Sequence, residues 1–282
     1  MNGIIIVDKP SGITSFDVVK IMKKKFNTSK VGHTGTLDPL ATGILVICIN
    51  SALKIAEKLT QDTKEYEAVI KLGMQTDTLD ITGNIITTSN IPKLTPIKVN
   101  QVLEKFTGVI NQVVPLYSSI KINGKKLYEY ARNNEVITPP TRKVLIEYIN
   151  LIEIKEDTIK IKCKVSKGTY IRSLARDIGL SLGTHGTIKN LRRIKQGNFS
   201  IADAFTLEQI EKDYFKIISI ENALNIKTID VSKELYFKIK NGQIINNFTK
   251  EAEILFTYQH QPVAIYQTYQ KDIKKIKPWK VF

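Results

Sequence analysis

Gly32-His33-Thr34-Gly35-Thr36-Leu37-Asp38-Pro39-Leu40-Ala41-Thr42-Gly43 interrupts two apolar patterns. Glycines at 32, 35 and 43 with a proline at 39 predict a loop. Glycine adopts positive φ freely and lets backbone approach a ligand closely. Upstream, Phe16, Val18, Val19, Ile21, Met22 and Phe26 fall near helical spacing, predicting an amphipathic helix over 15–26 that Thr14 or Ser15 would cap. Downstream, Ile44 to Ile49 reads as a buried strand. Asp38 therefore stands on a hinge between helix and strand, and Pro39 biases it towards an extended conformation.

Gly3 to Val7 reads as a second buried strand, closed by the turn cluster Asp8-Lys9-Pro10-Ser11-Gly12. Tyr66, Ala68, Ile70 and Leu72 share one face of an alternating run, with Glu67 and Lys71 on the other. Residues 98–107 look helical. Residues 123–143 break into Gly, Asn-Asn and Pro-Pro among lysines and arginines, predicting an exposed excursion with little core. Val144 to Ile154 returns to strand. Ile159, Ile161, Cys163 and Val165 alternate with Lys160, Lys162 and Lys164, so that strand carries a row of lysines. Residues 170–180 read as a helix with Arg172 and Arg176 on one face. Residues 206–224 also read as helix. After about Asn225 come short strand-like runs, Leu235 to Ile239, Ile244-Ile245, Ile254 to Tyr258 and Val263 to Tyr266. These predict a small β-rich domain from 227 to 282 after a larger one over 1–226. Strands and helices without regular βαβ spacing imply an α+β class with a mixed sheet.

Lys and Arg total 42 against 27 Asp and Glu, a formal net charge of +15 over 282 residues. Such a surplus attracts polyanions, although a solubility surplus or coding bias would give it too. Two cysteines in apolar runs, Cys48 and Cys163, read as reduced and buried. The longest apolar run is far short of a membrane span, and the start lacks the features of a signal peptide. A cytoplasmic protein without a membrane partner is expected.

An aspartate in a loop like 32–43 is more often a turn residue bonding its own backbone than a catalyst. The loop lacks the Gly-Lys-Ser/Thr ending of a phosphate cradle. His33, His185 and His260 show no metal-binding spacing, so no metal is expected. Tyr66 alone reads as a core tyrosine or as a stacking platform for a base. Arg172 opens a helix, where a cation opposes the dipole and calls for a carboxylate or phosphate partner.

As a set, these strings resemble the bacterial TruB family of tRNA pseudouridine synthases. The 32–43 stretch resembles its catalytic motif, and Asp8-Lys9-Pro10-Ser11-Gly12 its N-terminal motif. Lys64-Glu65-Tyr66-Glu67-Ala68, with Thr76-Asp77-Thr78-Leu79-Asp80 beyond it, resembles the strand bearing the family tyrosine. Pro115 to Tyr128 resembles the lead into an RNA-gripping thumb, about 123–143. Gly168-Thr169-Tyr170-Ile171-Arg172-Ser173-Leu174 and Leu191-Arg192-Arg193 resemble later site motifs. The resemblance implies a pseudouridine synthase fold, with a mainly antiparallel central sheet flanked by helices, and a PUA-like RNA-binding domain after 226. It implies Asp38, Tyr66 and Arg172 as catalytic residues. His33, Tyr66, Tyr170, Arg172 and Leu191 would bind substrate, and Lys9 and Pro10 would support the site. It implies isomerisation of uridine-55 in the T-arm stem-loop of tRNA, without cofactor, by a monomer with no obligate protein partner. A guide-RNA-dependent relative and a non-catalytic RNA-folding module are the alternative readings.

Overall fold

Ile4 to Val7 and Ile44 to Ile49 are almost wholly buried, and β-branched side chains favour extended backbone. They form the strands Gly3–Lys9 and Thr42–Ile49, paired antiparallel along the whole of the first. The computed structural model describes residues 1–61 and 63–282. The main sheet runs Gly3–Lys9, Thr42–Ile49, Gly186–Gln196, Lys64–Leu72, Thr158–Val165, Thr141–Lys155, Gly108–Val113. Two short strands, Val31–His33 and Phe199–Ser200, pair off this path. Among the described residues it is antiparallel save where Arg192 and Arg193 run parallel to Thr42 and Gly43. That junction sets the strand bearing Leu191 and Arg193 against the end of the 32–43 loop. Tyr66 follows next in the sheet, opposite Arg193 on one side and Cys163 on the other.

Both faces of the first two strands are covered, which explains their unbroken apolar runs. Ile5, Val7, Leu45 and Ile47 pack under Val18, Val19 and Met22 of the helix Ser15–Lys25. Thr14 caps this helix in a reciprocal box with Asp17, and Ser15 turns inward. On the opposite face, Ile4, Ile6, Ile44 and Val46 join Leu255 and Ile265 of the C-terminal unit in one core, with Trp279 and Phe282 against it. That unit is a separate five-stranded sheet whose first strand is Lys227–Asp230. The helix Ile171–Leu182 lays Leu174, Ala175 and Ile178 onto the core of the sheet with Ile70, Ile161 and Ile188. No helix among the described residues is long and apolar enough to cross a membrane.

The α+β architecture with a mixed central sheet agrees with expectation, and several local readings are corrected. The helix expected over 98–107 is Pro96–Glu104, since Thr95 caps it and Pro96 fits a first turn. The 123–143 excursion holds a short strand, Lys125–Lys126, and the helix Leu127–Arg132 with Leu127 fully buried. Residues 206–224 form two short helices, Leu207–Glu211 and Ile220–Leu224. Between them Asp213 takes φ of 61° and Ile218 bridges to Ile4, so pairing with the first strand displaces helix. The run Leu235 to Ile239 is helical, Lys233–Lys240, started by Ser232 and packed through Ile239. The row of lysines on Thr158–Val165 is a charge ladder: Lys160 meets Glu67 at 2.8 Å, Lys162 meets Glu65 at 3.8 Å and Lys164 meets Glu147 at 2.6 Å.

Candidate active site

The loop around Asp38 is held from beneath by residues 9–15. Ser15 Oγ donates to Leu37 O at 3.0 Å and accepts from Leu37 N at 2.8 Å. Gly12 N donates to Pro39 O at 2.9 Å and Ser11 Oγ to Leu40 O at 3.0 Å. Lys9 is completely buried. Its Nζ donates to Pro10 O at 2.9 Å, Ile13 O at 2.8 Å and Pro39 O at 3.2 Å. Lys9 and Pro10 thus fasten the N-terminal turn to the loop. His33 ends a short strand instead of lying in the loop; its Nδ1 accepts from Gly35 N at 3.3 Å. Burial, aided by the nearby Arg193 guanidinium, pushes its imidazole down and favours the neutral form.

Asp38 does not bond its own backbone through its carboxylate. Its Oδ2 lies 2.8 Å from Arg172 Nε and its Oδ1 accepts from Arg172 Nη2 at 3.1 Å. Arg172 also donates through Nη1 to Thr78 O at 2.8 Å and through Nη2 to Tyr117 O at 3.0 Å. The arginine side chain is 7% exposed and the aspartate 36%. The guanidinium is therefore a fixed wall, and the carboxylate faces an opening.

Tyr66 packs in the same buried cluster as Leu37 and Ala41, which flank Asp38, and as Leu191 and Ile171. Tyr170 precedes the helix bearing Arg172. Gln112, itself buried, clamps its backbone: Nε2 donates to Tyr170 O at 3.1 Å and Oε1 accepts from Tyr170 N at 2.8 Å. Burial pushes the Tyr170 phenol up and the Asp38 charge adds to the rise, while the Ser118 hydroxyl and the charges of Arg142 and Arg172 oppose it. Asp38 and Arg172 thus meet from separate stretches of chain, with Tyr170 two residues before Arg172, while Tyr66 and Leu191 belong to the apolar cluster that also holds Leu37 and Ala41. A cleft of about 510 Å³ lined by Leu79, Val114, Leu116, Tyr117 and Arg176 adjoins the Arg172 contacts.

Three contributors carry weak signals in the sequence. Thr78 and Tyr117 act through backbone carbonyls, which no side-chain pattern marks. Asp80 is buried and shapes the turn: its Oδ1 accepts from Thr82 N at 3.0 Å and from Thr78 Oγ1 at 3.0 Å. The string Thr76-Asp77-Thr78-Leu79-Asp80 was the available signal. The two arginines after Leu191 do not share one basic surface. Arg192 pairs with Asp8 at 2.7 Å, and Arg193 is buried.

Lys9 gives the site a pH dependence. Burial pushes its ammonium from 10.5 down to about 8, against the attraction of Asp38, with Arg193 adding to the push. The folded value lies below the unfolded one, so this group makes the fold more stable as pH rises from about 8 to 10.5. Activity should move the other way. A neutral amine has two N–H groups for three carbonyls, and Asp38 loses a nearby cation. The expected result is a fall in kcat of roughly threefold above pH 8, measured under single-turnover conditions. Lys9→Met should lack that alkaline limb; an identical limb in the variant would assign it elsewhere.

The comparisons with known proteins point one way. The family model described as TruB family pseudouridylate synthase (N terminal domain) matches residues 23–171, and the one described as tRNA pseudouridylate synthase B C-terminal domain matches 172–225. A tRNA pseudouridine synthase B of Francisella tularensis subsp. tularensis is 44% identical over 237 residues, 84% of this chain and 78% of the relative. One from Fusobacterium nucleatum subsp. nucleatum is 49% identical over 201 residues, 71% and 70% of the two chains. A solved structure of an H/ACA RNP bound to a substrate RNA containing 2'-deoxyuridine superposes with a TM-score of 0.72. It is 24% identical and covers 99% of this chain and 84% of its own, a likeness that carries the fold alone.

Proposed function

Because the chain belongs to the TruB family of pseudouridylate synthases, we propose that it isomerises uridine-55 in the T-arm loop of tRNA to pseudouridine, with Asp38 as the catalytic residue. Pseudouridine synthases are isomerases, and the α+β fold is theirs. The observation that carries the proposal is a carboxylate held on both oxygens by a buried arginine and open on one side.

The reaction breaks the N1–C1′ bond, turns the uracil, joins C5 to C1′, gives up the C5 proton and leaves N1 carrying one in its place. The uridine must first leave the base stack. A Tyr66 ring against the extruded base would offset the lost stacking by about 1–3 kcal/mol. An ionised Asp38 can then start the rearrangement by attacking C1′ or the base, or by taking the C2′ proton. Either start needs a bare carboxylate aimed in one direction, which the two Arg172 contacts supply. His33, Tyr170 and Leu191 belong to the same proposal as the lining of the base pocket. The thumb at 123–143 and a PUA-like unit at 227–282 would hold the stem-loop through phosphate and shape contacts. A cytoplasmic location and action as a lone monomer complete the reading.

The test is carbodiimide-adduct primer extension on an unmodified tRNA transcript incubated with the purified chain alone. A new stop assigned to position 55, absent when that position is cytidine, is the expected outcome. An isolated T-arm stem-loop should serve equally well. Modification elsewhere only, or a need for a guide RNA or second protein, would overturn the proposal.

A further inference from the structure

Arg193 is the largest fully buried side chain, 1% exposed, and has no carboxylate partner among the described residues. Its Nε donates to Ile44 O at 2.7 Å and its Nη2 to Gly35 O at 2.9 Å. Those two carbonyls stand on either side of Asp38, one at the entrance to the catalytic loop and one at its exit. Two loop glycines answer to the same residue. A Cβ on Gly43, where φ is +98°, would meet Arg193 O at 2.2 Å, and one on Gly35 would lie 3.4 Å from Arg193 Nη1. Gln196, on the same strand, adds a third tie: its Nε2 donates to Thr34 Oγ1 at 2.6 Å and to Leu59 O at 3.2 Å.

A guanidinium is planar and presents its donors in fixed directions, so two carbonyls bonded to one such group are held at a set separation. A buried cation costs several kcal/mol to desolvate, and an apolar residue would fill the same space without that penalty. We propose that Arg193 is a positioning residue for the isomerisation, bridging Gly35 and Ile44 so that the span between them presents Asp38 to Arg172 in one orientation. This rests on the assignment of Asp38 as the catalytic residue.

The experiment compares full-length Arg193→Met, Arg193→Lys and Asp38→Asn with the wild type. It reads tRNA affinity by filter binding, single-turnover rate by tritium release from C5-labelled uridine, and cooperative melting. Arg193→Met keeps much of the stem and loses both bonds. It should bind tRNA as the wild type does and react on the order of 10²-fold more slowly, the scale expected when a reacting group is displaced by about 1 Å. Arg193→Lys can reach one carbonyl and should recover part of that rate. A folded Arg193→Met with wild-type rate would overturn the inference, as would a rate loss matched by an equal loss of affinity. If the methionine variant does not melt cooperatively, Arg193→Lys decides alone: a slowed rate at intact affinity supports the bridge, and an unchanged rate removes it. Asp38→Asn separates the two layers. Turnover in that variant would sink the catalytic assignment itself, whereas an inactive Asp38→Asn beside an unimpaired Arg193→Met would sink only the bridge.

Discussion

Asp38→Asn is expected to bind tRNA normally and to form no pseudouridine, a loss of at least about 10³-fold in single-turnover rate. The amide nearly matches the carboxylate in shape but can act neither as nucleophile nor as base. It also turns an N–H pair towards one side of the Arg172 guanidinium, where only an acceptor fits. The backbone around it should not collapse. Ser15, Gly12 and Lys9 hold Leu37 and Pro39 without using the Asp38 side chain, and the carboxylate is more than one third exposed. The two quantities to compare are tritium release and filter-binding affinity. A variant that retains even a few per cent of wild-type turnover would remove Asp38 from the chemistry.

The sequence made some of this site plain and hid the rest. Asp38 was visible because glycines and a proline isolate it between a helical and a strand pattern. Tyr66 was visible because the period of its strand puts it on the buried face, as the burial of Lys64–Leu72 bears out. Arg172 was marked by its position, a cation opening a helix, which is tolerable only with an anion or acceptors at hand. Its partners were not marked, since Thr78 and Tyr117 offer carbonyls. The loop glycines at 35 and 43 suggested close approach of a ligand, and the close approach at both is by Arg193. That pairing depends on a parallel contact between strands far apart in the chain. The lysines of Thr158–Val165 looked like a basic face, because the glutamates opposite them come from other strands. At Leu235 to Ile239 an apolar run was too short for its period to separate helix from strand, and the cap at Ser232 was the only local hint.

Arg172→Lys should be the second most damaging change, with kcat reduced on the order of 10²-fold and tRNA affinity kept within about threefold. The arginine serves four acceptor atoms at once: both oxygens of Asp38 and the carbonyls of Thr78 and Tyr117. An ammonium has three donors and no planar fork. It keeps the charge but leaves at least one buried acceptor unmade and lets the carboxylate swing. Arg172→Met should be worse for both activity and stability. Losing one partner of a buried ion pair costs about 3–5 kcal/mol, a figure that shrinks here because Asp38 is partly solvated, to roughly 2 kcal/mol. The orphaned carbonyls add about 1–3 kcal/mol. The two effects can be told apart by a cycle with Asp38→Asn. Stability should still fall in the double variant, because Thr78 and Tyr117 lose their donor whether or not Asp38 is charged. A wild-type kcat in Arg172→Lys would mean that the bidentate geometry does not matter and that charge alone holds Asp38 ready.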